Sequence, residues 1–105
     1  MAAAAIGAAA AMGGSGAHAG ETHVVAMLGS DYSPARLTVR VGDTIRFVND
    51  DVIDHTVFVA TIDHAVDLGG QKAEETRELT LHQPGLFEVE CVFHDHMLLT
   101  VEVLP

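Results

Sequence analysis

The chain has 105 residues, with 15 acidic side chains against 5 Lys and Arg, for a formal net charge of −10 with histidine neutral. That length holds one domain with one small core, and a composition 49% apolar and 19% charged excludes a disordered acidic tail. The charge excludes nucleic acid and anionic membrane surfaces as partners, because both are bound through clusters of Lys and Arg. A single cysteine leaves no intramolecular disulfide. Seven histidines against five basic residues is the unusual count, and histidine is the commonest metal ligand.

Residues 1–19 contain no Asp, Glu, Lys or Arg. An alanine-rich stretch up to Met12 reads as an apolar core of an export signal, and Ala17-His18-Ala19 fits a small-x-small cleavage site. The positively charged start of such a signal is missing, and a flexible Ala/Gly leader is the alternative. The run is too short to span a membrane and is broken at Gly13 to Gly16. The expected domain is therefore residues 20–105 of an exported or periplasmic protein.

From residue 20 onward the hydrophobic period is two. His23 to Leu28 is expected as the first strand. Arg36 to Val41 and Thr44 to Val48 alternate polar and apolar residues around the turn Gly42-Asp43. His55 to Val59 is β-branched and aromatic. Ala60 to Glu75 is irregular and is expected to cross between sheets, with Lys72 to Glu78 open to a helical turn. Arg77 to Leu81 alternates again, followed by the turn Pro84-Gly85. Phe87, Val89 and Cys91 share one strand face, and Leu99, Val101 and Val103 share another. About seven short strands with turns between them predict an all-β sandwich of Greek-key type.

The chemistry is concentrated in Cys91-Val92-Phe93-His94-Asp95-His96-Met97. Cys91 is in phase with Phe87 and Val89, so its sulfur is expected to point inward at the sheet's end. A tight reversal returns His94 and Met97 to the same point. His55, at the start of a strand after the acidic segment Asn49 to Asp54, is the candidate fourth ligand. A thiolate and a thioether are soft donors, and zinc sites do not normally take methionine, so the set His55, Cys91, His94, Met97 points to copper. Two histidines and a cysteine in a plane, with a weak axial methionine, define a blue-copper electron-transfer centre.

These residues resemble the cupredoxins, the small blue-copper proteins of the plastocyanin and amicyanin group. The resemblance rests on Val41-Gly42-Asp43-Thr44, Phe47-Val48-Asn49, the isolated His55, Pro84-Gly85-Leu86-Phe87 and the Cys-x2-His-x2-Met loop, whose short gaps are most like amicyanin. It covers about residues 23–105 and implies one Cu(I)/Cu(II) ion per chain, bound by His55, Cys91, His94 and Met97. The sequence departs from the family pattern at Val89, where an aromatic is usual, at Leu98, where glycine often follows the methionine, and at Thr56, where asparagine is common. His96 and Asp95 are additions.

Blander readings stand beside these. Cys91 by itself could be a packed thiol, and His55 by itself a surface histidine. His64 and His96 are expected to be solvent-exposed rather than ligands, and His18, His23 and His82 carry no signal. Asp50, Asp51, Asp54 and Asp95 are expected as an acidic rim that steers a basic redox partner. A backbone N–H, from Thr56 or Asn49, is expected on the Cys91 sulfur. The expected function is a monomeric, non-enzymatic one-electron carrier that passes charge through His94 and an apolar patch of Val92, Phe93 and Leu98. The alternative is a copper chaperone or store. A cysteine-dependent enzyme ranks far below, since neither a phosphate-binding glycine loop nor a nucleophile elbow is present.

Overall fold

The structure is a computed structural model that describes residues 20–105; the export-leader expectation falls on residues 1–19, outside the described residues. The alternating segments form nine strands: β1 Thr22–Leu28, β2 Asp31–Ser33, β3 Arg36–Arg40, β4 Thr44–Asn49, β5 His55–Val59, β6 Val66–Gln71, β7 Thr76–Thr80, β8 Gly85–Cys91 and β9 His94–Leu104. They make two sheets, one of four strands in the order β2-β1-β4-β7 and one of five in the order β3-β9-β8-β5-β6. The pairs β1 with β4 and β3 with β9 are parallel, and the remaining neighbours are antiparallel.

Burial follows the period of two. Val25, Met27, Ile45 and Phe47 face inward from the first sheet, and Val57, Val59, Phe87, Val89, Leu99 and Val101 face them from the second. Deleting one of the larger of these, such as Phe47, removes roughly 3–5 kcal/mol through lost burial and a cavity. The intervening residues, among them Arg46, Glu78, Glu88 and Glu90, are exposed, so the charges sit outside the sandwich at no desolvation cost.

Two strands exceed the seven expected. β2 buries only Tyr32, which is too little for a pattern to show. β6 lies inside the segment expected to be an irregular crossing, where Gly69-Gly70 reads as a turn. It is instead an edge strand whose glycines pair with Val57 and Thr56, next to a bulge in β6 where Leu68 falls between the partners of Val57 and Phe58. No helical turn forms after it: the chain turns through Lys72 to Glu75, with the Glu75 N–H on the Lys72 carbonyl, and enters β7. Gln71, fully buried, ties the sheets together by donating from Nε2 to the Phe47 and Glu75 carbonyls.

The end of the sandwich around the β3–β4 turn is organised by Asp43. Gly42 takes φ 99°, which favours glycine, and closes the turn. The buried Asp43 carboxylate accepts the Glu21 N–H at 2.9 Å, the Arg40 N–H at 3.0 Å and His23 Nε2 at 2.9 Å.

Candidate metal centre

β5 and β8 share only one register pair, Phe58 with Glu90, and separate toward the end where His55 and Cys91 lie. Side-chain bonds replace the ladder in the gap. The Thr56 N–H points to Cys91 Sγ at 3.4 Å, and the Val92 N–H donates to Thr56 Oγ1 at 2.9 Å. The expected backbone donor to the sulfur is thus Thr56. The Thr56 carbonyl accepts the Tyr32 hydroxyl at 2.6 Å, so Thr56 is held on three sides. Burial pushes the Tyr32 phenol well above its ordinary range, and the negative charges of Cys91 and Glu90 push it further.

The β8–β9 reversal brings the other donors in. Glu90 pairs with Leu98, but the next pair is Cys91 with His94. The register shift leaves residues 95–97 without ladder partners in β8, and Met97 immediately precedes Leu98, the partner of Glu90. Met97 is fully buried, in phase with Leu99 and Val101. It therefore packs in the core at the same end as the cysteine.

His55 and Cys91 are buried and His94 is half-buried. His55 Nδ1 lies 3.8 Å from Cys91 Sγ and His94 Nδ1 lies 3.6 Å from it. The two rings have centroids 5.1 Å apart at 56° to one another, and the donor atoms of all three residues lie within 4.8 Å of one another. With metal–nitrogen and metal–sulfur bonds of about 2.05 and 2.3 Å, nitrogen and sulfur on one ion stand about 3.6 Å apart in a tetrahedron and about 3.8 Å apart in a trigonal plane. The spacing fits a bound ion, and the sulfur-rich donor set selects copper over zinc.

Asp51 departs from its expected place on an acidic rim. Its side chain is only 13% exposed. It accepts the Gly29 N–H at 2.8 Å and the Ser30 N–H at 2.9 Å, and contacts His55 Nε2 at 2.7 Å. The Ser30 N–H holds its carboxyl below the usual carboxylate range against the opposing effect of burial, with His55 and Gly29 adding to the lowering. Asp50, Asp54 and Asp95 are exposed, as a rim requires, and so are Val92, Phe93 and Leu98 beside His94.

Of the other histidines, His96 is exposed with its ring 6.3 Å from that of His94. His64 is not fully exposed: it stacks on Phe87 at 4.8 Å, beside Gly85 at the start of β8, whereas Cys91 ends that strand. His23, which carried no signal, forms a second grouping with Glu21 and Asp43 at the far end.

No protein-family model and no curated protein matches the chain. Solved structures do. A purple cupredoxin from Nitrosopumilus maritimus superposes with a TM-score of 0.69 at 19% identity, covering 77% of this chain and 98% of that one. A reduced Cu(I) form of an amicyanin variant superposes with a TM-score of 0.73 at 27% identity, covering 78% and 81%. A copper-containing nitrite reductase from Thermus scotoductus gives 0.74 at 24% identity over 80% of this chain, which spans only 22% of that enzyme. The chain is a cupredoxin-like protein: its fold is the cupredoxin β-sandwich, and a His-Cys-His cluster with a buried methionine stands where one copper could be held.

Proposed function

We propose that the protein is a soluble one-electron carrier whose copper is bound by His55, Cys91, His94 and Met97. The observation that carries this reading is the convergence of both histidine Nδ1 atoms on the buried Cys91 sulfur, at 3.8 and 3.6 Å. Copper held there would supply a Cu(II)/Cu(I) couple.

The chain's own residues suit that task. Strands β5, β8 and β9 fix the donors from a packed core, so little can rearrange between oxidation states. The Thr56 N–H stabilises negative charge on the sulfur. His94, half-buried, leads from the sulfur to the surface among Val92, Phe93 and Leu98, a patch on which a partner can exclude water. Asp50, Asp54 and Asp95 around it favour a basic docking face on that partner and an association rate that falls with added salt. An exported location agrees with the leader read in the sequence. No helix among the described residues is long and apolar enough to cross a membrane.

The test is absorption after addition of Cu(II). An intense visible band, bleached reversibly by a mild reductant, supports the carrier. The exposed His96, 6.3 Å from His94, favours a second reading, a chaperone that takes up and releases the ion. Colourless binding with ready transfer to a chelator would support that instead.

A further inference from the structure

We propose that Asp51 is a positioning residue for the metal centre: its clamped carboxylate fixes the tautomer and orientation of His55 and holds the copper potential down. The inference rests on the copper reading and deepens it.

The β1–β2 turn is built for the clamp. Gly29 and Ser30 take φ 65° and 58° in succession, and Ser30 does so at a steric cost that a side chain ordinarily avoids. Both of their N–H groups point to Asp51, one to each carboxylate oxygen. The Asp51 N–H in turn donates to Asn49 Oδ1, and Asn49 Nδ2 donates to the Ile53 and Gln71 carbonyls. The acidic segment is therefore fixed from both sides. An ionised carboxylate can only accept, so the 2.7 Å contact makes His55 Nε2 the protonated nitrogen. Nδ1 is left as a lone pair, and it is Nδ1 that faces Cys91 Sγ. His55 is fully buried and its ring has no other hydrogen-bond partner than Asp51 and Cys91 among the described residues. A carboxylate behind a ligand imidazole raises its basicity, which favours the more highly charged oxidation state of the metal.

Proximity of negative charge alone would also lower the potential, so the test compares like with like. Asp51→Asn, Asp50→Asn and Asp54→Asn each remove one negative charge from the same segment. Midpoint potentials of the copper-loaded proteins are expected to rise in all three and to rise most in Asp51→Asn, whose spectrum also shifts. An Asp51→Asn change no larger than that of Asp50→Asn would overturn the proposal. Ring-nitrogen NMR of the metal-free wild-type protein needs no variant to fold. His55 is expected as the Nε2–H tautomer, and an Nδ1–H tautomer would overturn the proposal as well. A wild-type protein that bound copper without a thiolate band would sink the copper reading and leave the tautomer result standing.

Discussion

The two ends of the sandwich each hold a histidine against a carboxylate, and they are put to different use. At one end Asp51 meets His55 at 2.7 Å, and at the other Asp43 meets His23 at 2.9 Å. Each carboxylate also gathers two backbone N–H groups. The difference lies in the other edge of the ring. His55 presents Nδ1 to a buried sulfur, whereas His23 directs Nε2 at both Asp43 and Glu21 and meets no soft donor among the described residues. A His–Asp pair is therefore a support, and what it supports depends on whether a thiolate is within reach. At the far end the pair closes a turn; at the near end, on the copper reading proposed above, it aims a ligand.

Removing the sulfur should erase the difference between the two ends. Cys91→Ser is expected to abolish the intense visible band completely, and a band that persisted would remove the thiolate from the site. Next in size is Asp43→Ala, which takes a buried carboxylate away from the part-buried Glu21 and Arg40 N–H groups. It should lower the denaturation midpoint by an amount worth roughly 2–4 kcal/mol. The copper spectrum of the folded variant should stay as it is, since the change lies at the other end. A spectral change there would mean that the two ends are coupled.

Tyr32 reports on the near end through its bond to the Thr56 carbonyl. It is the chain's one tyrosine, so phenolate absorbance reports on it alone. Its raised value in the folded state contributes stability that is fully present below the unfolded value of about 10 and is lost as pH rises toward the higher folded value. Phenolate absorbance is expected to appear together with unfolding; ionisation near pH 10 with native circular dichroism would contradict it. Tyr32→Phe leaves the buried Thr56 carbonyl without its hydroxyl and should cost about 1 kcal/mol. Smallest is His23→Gln, which keeps a donor for Asp43 and should change stability by less than about 1 kcal/mol with no change in potential.

Much of this was legible in the sequence, for physical reasons. β3, β4, β8 and β9 alternate because one face of each is buried, and that period survives in the residue order. Cys91, His94 and Met97 are close in sequence, so their spacing is visible without a fold; His55 had only its place at a strand start after the acidic segment to mark it, because it is the β5–β8 pairing that brings it within 3.8 Å of the sulfur. β2 and β6 were not legible, since one anchors through a single side chain and the other through backbone pairing of glycines. Asp51 was misplaced on the rim for a related reason. Its neighbours Asp50 and Asp54 are rim residues with the same side chain, and only the paired N–H groups of Gly29 and Ser30 distinguish it. An acidic residue four positions before the candidate histidine was the available signal.

Whether Cys91 and the two histidines hold copper is decided by the absorption and electron paramagnetic resonance spectra of the purified protein with one equivalent of Cu(II). An intense thiolate-to-copper band with the narrow hyperfine splitting of a blue-copper centre is the predicted result. A pale solution with the wide splitting of an ordinary tetragonal nitrogen and oxygen site would contradict it.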